Sequence, residues 1–164
     1  LFGLGTGNNL HGIYTQATAY SAPITIASPT RVDTMRLTML QAALADVFAT
    51  GHVMHMNDWT AIELQKDTTG AYLFTNPFSP NTPSLWGLPV ADTNHAAMVG
   101  NFLTGSFADA AQIFDREDAN VVISTENADD FEKNMISIRC EERLALAVYR
   151  PEAFVKGAFP APAP

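Results

Sequence analysis

The chain has 164 residues, of which 47% are apolar and only 16% are charged. A chain of this length and apolar content can bury a core, in one domain or in two small ones, which excludes disorder as its overall state. Its 9 basic and 17 acidic residues give a formal charge of -8, which disfavours specific binding to nucleic acid. The single cysteine, Cys140, excludes an intrachain disulfide and a Cys-x-x-Cys metal site. The low charged fraction is typical of a surface that other chains partly cover.

The first third of the chain predicts a loop region followed by one clear helix. Residues 1–29 are rich in Gly, Asn, Ser and Thr, which predicts loops and irregular strand. Thr30 is a predicted N-cap with Asp33 as its capping-box partner, and apolar residues then recur every three or four positions. Gly51 ends the pattern, so we expect an amphipathic helix over residues 31–50.

The rest of the chain predicts short strands separated by turns. A second, shorter helix is expected to extend through Gln65 with Asn57 or Asp58 as its cap, and the prolines of residues 76–84 predict a loop. A single helical turn is expected at residues 129–133, and the Pro-Ala sequence of residues 160–164 predicts a disordered, solvated tail. The predicted strands are residues 52–56, 71–74, 86–91, 97–103, 111–115, 121–125 and 135–149. No segment is apolar over the length that a membrane span requires.

Two short motifs suggest ligand chemistry, and each has an ordinary structural explanation. The glycines of residues 3–7 are typical of a phosphate-binding loop, but no strand precedes them and no helix is predicted to follow directly, so a structural loop is expected. His52 and His55 have a metal-ligand spacing only on a helix. On the predicted strand they point to opposite faces, so we expect sheet histidines and no zinc site.

Two acidic clusters at predicted hairpin turns form the other candidate site. Paired carboxylates can perform acid–base catalysis or bind a hard cation, although acidic residues at solvated turns are common. A small acidic α+β enzyme domain of hydrolase type therefore stays open as the alternative, and a concave cluster of Asp115, Asp118 and a histidine would indicate it. Cys140 is expected to be buried and unreactive, and no cofactor or metal is expected. The clusters are Asp115, Glu117 and Asp118, and Glu126, Asp129 and Asp130.

Several segments, in order and with regular spacing, carry a resemblance that covers nearly the whole chain. The main ones are residues 5–13, 57–62, 85–90, 111–116 and 131–151. Together they resemble the major capsid protein of tailed bacteriophages, the Hong Kong 97 type. The resemblance implies an α+β phage capsid fold and a structural subunit that assembles with itself into capsomers enclosing DNA. It also implies synthesis in the cytoplasm of the bacterial host and a final location in the virion of a phage or prophage.

The resemblance further implies a division of the chain. Residues 1–104 would form most of an axial-type domain, with a sheet flanked by helices, and residues 105–159 would supply the long strands of a peripheral-type domain. Residues 160–164 would be the tail. Family members carry an arm, an extended loop and a spine helix before the matching region, so we expect this chain to be the C-terminal portion of a capsid protein.

In some family members a lysine of the extended loop attacks an asparagine of a neighbouring subunit, with a glutamate as the base. The matching positions are Asn134, which would accept the attack, and Glu141, which would be the base. Arg139 and Glu117 stand where the crosslinking pattern is apolar, and a charged, wet site does not favour a neutral amine. We therefore predict that both are ordinary strand residues, on opposite faces, and that the chain does not crosslink. The expected partner is a second copy, with no specific nucleic acid and no membrane.

Overall fold

The computed structural model describes residues 1–67, 69–73, 83–126 and 129–160. Two compact units are present, which we call the sheet unit (Leu1–Ala111 with Val148–Pro164) and the ribbon unit (Gln112–Ala147). The helices are α1 (Ile13–Gln16), α2 (Arg31–Leu44) and α3 (Met56–Glu63), with 3-10 turns at Ala96–Met98 and Pro151–Ala153. The strands are β1 (Thr18–Ala19), β2 (Gly51–His55), β3 (Ser84–Leu85), β4 (Leu88–Thr93), β5 (Asn101–Gly105), β6 (Ala111–Ser124), β7 (Ser137–Val148) and β8 (Phe154–Ala158).

The sheet unit is built on a mixed sheet with the strand order β1-β8-β5-β2-β4-β3. β2 runs parallel to β4 and β1 parallel to β8, whereas the remaining neighbours are antiparallel. The two edge strands, β1 and β3, contain only two residues each. Each edge strand therefore covers only two residues of its neighbour.

The core lies on both faces of this sheet. Phe102 and Leu103 are adjacent in β5 and fully buried, and they belong to different apolar clusters because consecutive strand residues point to opposite faces. The Phe102 cluster includes Met35 of α2 and Ile62 of α3. Every apolar residue that is buried in the described part of the chain belongs to the sheet unit.

Helix α2 begins as predicted and ends early. The Thr30 hydroxyl accepts a hydrogen bond from the Asp33 amide, and the Asp33 carboxylate accepts one from the Thr30 amide at 2.9 Å, which completes the capping box. The predicted end at residue 50 is wrong, because the helix stops at Leu44. Asp46 has a left-handed backbone with φ 59°, and an α-helix cannot continue through that conformation.

Helix α3 and the segment after it differ from expectation. The helix is capped by His55, whose Nδ1 accepts from the Asn57 amide at 3.0 Å, so neither Asn57 nor Asp58 is the cap. The strand expected at residues 71–74 is wrong over its described part, where only Tyr72 forms an isolated bridge, with Lys66. The loop expected at residues 76–84 and the tail expected at residues 160–164 lie largely outside the described residues.

The second half of the chain forms one strand that is longer than predicted, and the chain then returns to the sheet. Residues 111–115 and 121–125 were expected as two strands with a turn between them, but β6 is continuous from Ala111 to Ser124. The long strand expected at residues 135–149 is present as β7. Residues 154–158 form β8 between β5 and β1, so the observed units differ from the expected division at residue 104. The position of β8 depends on pairing between segments that are distant in the sequence, and the local residue pattern does not reveal such pairing.

Candidate functional site

The ribbon unit contains β6 and β7, which pair in a two-stranded sheet, and the connection between them. Asp130 is its only buried residue among those described, and the Ser137 hydroxyl donates to its carboxylate at 2.5 Å. The single helical turn expected at residues 129–133 is present, since the Lys133 amide donates to the Asp129 carbonyl at 3.1 Å. No described apolar side chain of the ribbon unit is buried, so this unit has no hydrophobic core of its own.

Large apolar side chains cover the ribbon unit, and we call this set the ribbon surface. Its members, all at least 40% exposed, are Ile113, Phe114, Val121, Val122, Ile123, Phe131, Met135, Ile136 and Ile138. Ile113 and Phe114 are adjacent in β6 and therefore point to opposite faces, and both are exposed. A two-stranded sheet without a covered face is at best marginally stable in water. Exposed apolar surface of this extent is typical of a surface that packs against further protein.

Ion pairs lie beside the apolar side chains of the ribbon. Arg143 Nε is 3.3 Å from a Glu117 carboxylate oxygen, and Arg139 Nε is 3.0 Å from Glu141 Oε1. All four side chains are largely exposed to water, and exposed ion pairs contribute about 0–1 kcal/mol. These ion pairs therefore add little to the stability of the ribbon.

The two residues expected as a crosslink pair lie in different local structures. Asn134 lies in the connection before β7, with a left-handed φ of 52°, so the prediction that it is a strand residue is wrong. Glu141 lies in β7 as expected, exposed and paired with Arg139. Glu141 is therefore exposed to water beside a guanidinium and does not lie in an apolar pocket.

The three lysines of the chain each have a partner within it. The partners are the Tyr72 ring for Lys66, the Asp129 carboxylate for Lys133, and the backbone carbonyl oxygens of Tyr14 and Thr15 for Lys156. The Lys156 ammonium lies 2.8 Å and 3.0 Å from its two carbonyl oxygens, at the end of α1. An amine that attacks an amide must be neutral and oriented, and none of these lysines is held for that purpose.

The histidine pair has a structural role in the sheet. His52 is buried, its Nδ1 lies 2.9 Å from the Thr104 hydroxyl, and its Nε2 meets no partner with hydrogen-bond geometry among the described residues. Burial lowers the pKa of His52 to about 4, an effect that the Leu85 backbone only partly offsets. His55 caps α3 instead. No three metal-ligating side chains come together in the described residues, and no described helix is long and apolar enough to cross a membrane.

The acidic residues do not form a concave cluster. Asp115, Glu117 and Asp118 lie within β6 and not at a turn as expected, and the described ribbon contains no histidine. An apolar cavity of about 280 Å³ lies in the sheet unit, between α2 and the end of β8, and neither a carboxylate nor a histidine lines it. Cys140 is exposed, so its expected burial is wrong. The exposed apolar surface was not predicted from the sequence, because the residue pattern of a strand does not indicate whether another element covers its apolar side chains.

Comparison with known proteins identifies similar chains. Residues 1–159 match the sequence model of the phage capsid family. The chain is 44% identical over 159 residues to the major capsid protein of Enterobacteria phage HK97. The matched residues make up 97% of this chain and 41% of that protein. The capsid of an empty GTA particle matches with a TM-score of 0.68 at 18% identity, over 93% of this chain and 57% of that one. A structure from Gordonia phage Cozz matches with a TM-score of 0.69 at 17% identity, over 96% of this chain and 54% of that one. Both structural matches show the fold, and the chain spans about two fifths of its curated relative.

Proposed function

The chain belongs to the phage capsid family, and we propose that its copies meet through the ribbon surface to build an icosahedral shell that encloses DNA. Its role is that of a structural capsid subunit and not of an enzyme, as the family and the name of its relative indicate. The predicted resemblance and α+β fold class are thereby confirmed. No observation supports the hydrolase-type alternative.

The observation that supports this proposal most directly is the large exposed apolar side chains of the ribbon unit. None of its described apolar side chains is buried. Burying the exposed part of one such side chain contributes about 1 kcal/mol. Association must offset a loss of translational and rotational freedom of about 4–15 kcal/mol. Covering most of the ribbon surface at once therefore reaches the range of this cost, whereas covering one or two members does not.

We also propose which domain each unit of the chain forms and which partner it contacts. The sheet unit corresponds to an axial-type domain and the ribbon unit to a peripheral-type domain, in the C-terminal portion of a longer subunit made in the host cytoplasm. The partner is a second copy. The excess of acidic residues disfavours specific contact with nucleic acid or with an anionic membrane. Asn134 and Glu141 do not crosslink in this proposal.

The test is particle formation by the product of the complete reading frame that contains residues 1–164. Ile123→Glu places a charge on the ribbon surface and is expected to abolish particles in electron micrographs and in light scattering. Ile24→Glu is the matched control, because Ile24 is 56% exposed in the sheet unit and Ile123 is 66% exposed in the ribbon unit. Particles that form equally well with both variants would contradict the proposal.

A further inference from the structure

The turn between β3 and β4 holds a bulky residue in an unfavourable backbone conformation. Leu85 pairs with Leu88, so Trp86 and Gly87 form a two-residue hairpin turn, with φ values of 54° and 79°. Such a turn requires positive φ at both positions and favours Asn-Gly. A left-handed conformation at a residue with a Cβ costs about 1–2 kcal/mol. The backbone preference of the hairpin turn therefore does not explain why a tryptophan occupies this position.

The Trp86 ring is held in place and still half exposed. Its indole Nε1 donates to the Val32 carbonyl of α2 at 3.1 Å, and the Arg36 guanidinium carbon lies 5.8 Å from the ring centroid. The residue remains 50% exposed, so half of its surface is not covered by the described chain. The ring lies under the Arg36 guanidinium, and we call the two side chains the Trp86–Arg36 stack.

Arg36 has no carboxylate partner among the described residues. It is exposed, and its other contact is with the Met39 sulfur at 4.0 Å. Four of the six arginines do pair with carboxylates, namely Arg31, Arg139, Arg143 and Arg150. A stacked guanidinium presents a planar fork that fits a carboxylate and loses little freedom when it binds one.

The negative net charge of the chain indicates which partner Arg36 would bind. With 17 acidic and 9 basic residues, each copy carries many more carboxylates than its own cations can pair. Two such copies repel one another at long range, so a local unpaired cation is where a contact between copies is favourable. Tryptophan and arginine are also the side chains that most often dominate the binding energy of interfaces.

We propose that the Trp86–Arg36 stack is a contact site for a second copy of this chain, with the Arg36 fork binding a carboxylate of that copy and the indole face packing beside it. The site rests on the proposed shell function and adds a second contact to it, in the sheet unit and separate from the ribbon surface. Trp86 then keeps its strained position because it orients Arg36.

The test uses particle assembly by the complete reading frame. Arg36→Gln and Trp86→Asn are expected to lower the particle yield by about tenfold or more, because they remove a dominant interface pair. Asn is the residue that this turn favours, so Trp86→Asn separates loss of the contact from loss of the hairpin. Lys66→Gln is the matched control, since Lys66 also lies over an aromatic ring, with its Nζ 4.8 Å from the Tyr72 centroid. It is expected to assemble like the unaltered protein.

Hydroxyl-radical footprinting gives a direct readout of the contact. Oxidation of Trp86 is expected to fall by about twofold or more in particles relative to dissociated subunits, as for a residue in an interface core. Equal oxidation in both states, or equal yields with Arg36→Gln and Lys66→Gln, would overturn the contact site and leave the shell function standing. Failure of the unaltered protein to form particles would instead count against the proposed function.

Discussion

Asp58 accepts bonds from two segments that are distant in the sequence. Its Oδ1 lies 2.8 Å from Arg31 Nη1, at the start of α2, and its Oδ2 accepts from the Gly100 amide at 2.7 Å, before β5. The Asp58 side chain is 6% exposed and the Arg31 side chain 18% exposed. A buried carboxylate in this position holds both helices to the sheet, and loss of its charge leaves the guanidinium without compensation.

We therefore expect Asp58→Asn to lower the free energy of unfolding by about 3 kcal/mol, measured by urea denaturation. Asp46→Asn is the control, because Asp46 is exposed and its left-handed backbone suits asparagine equally well. The double variant Arg31→Met, Asp58→Asn should recover part of the loss. A loss below about 1 kcal/mol for Asp58→Asn would mean that the pair contributes no more than a surface ion pair.

His52 makes the stability of the sheet unit depend on pH. Its folded pKa of about 4 lies below the ordinary value of 6.5, so the unfolded chain takes up the proton first as the pH falls. Stability is therefore complete above pH 6.5 and is lost between pH 6.5 and about pH 4, by ~3 kcal/mol over that window. The lowered pKa values of Asp33 and Asp67, which hydrogen bonds to the carboxylates cause, act mainly below this window.

The expected result is a falling urea midpoint between pH 6.5 and pH 4, which becomes much flatter in His52→Gln. The exposed His11 provides the control, since His11→Gln should keep the slope of the unaltered chain. An unchanged slope in His52→Gln would show that other groups cause the pH dependence.

At the scale of elements, the ribbon and the sheet differ in what protects their backbone hydrogen bonds. Strands β2, β5 and β8 lie inside a sheet with a core on both faces, whereas β6 and β7 have exposed side chains throughout most of their length. Few buried apolar contacts mean a low free energy of local opening. The isolated chain should therefore open in the ribbon first.

Amide hydrogen exchange of the isolated chain checks this expectation. Protection in β6 and β7 should be about a hundredfold or more below that in β2 and β5, and it should rise when particles form. Equal protection of ribbon and sheet in the isolated chain would mean that the ribbon is stable without a covering partner.

At the scale of the whole molecule, we expect assembly without covalent bonds between subunits. Glu141 is exposed beside Arg139, and Glu117 pairs with Arg143 in the same ribbon, so the described side chains around Glu141 form no apolar pocket for a neutral amine. Denaturing electrophoresis of particles should give a single band, and mass spectrometry should find no loss of ammonia at Asn134. A ladder of multimers that Glu141→Ala abolishes would restore the catalytic role of the pair.

The sequence by itself determined the features that depend on neighbours along the chain. Thr30 and Asp33 are three residues apart, so their capping box follows from local chemistry, and the start of α2 was predicted correctly. The strand character of β2 and β7 also followed from local pattern. The ordered segments that resemble phage capsid proteins pointed to the family, because that resemblance depends on residue types and their order along the chain.

Tertiary structure decided what depends on residues that are distant in sequence. Asp58 was expected as a helix cap, but its ion pair with Arg31 spans 27 positions and required α2 to pack near α3. β8 lies between β5 and β1, which no local pattern of residues 154–158 indicates. Whether the apolar residues of β6 are buried or exposed is likewise not encoded in their alternation, because burial depends on what packs against a strand. The candidate assembly surface therefore emerged only from the folded chain.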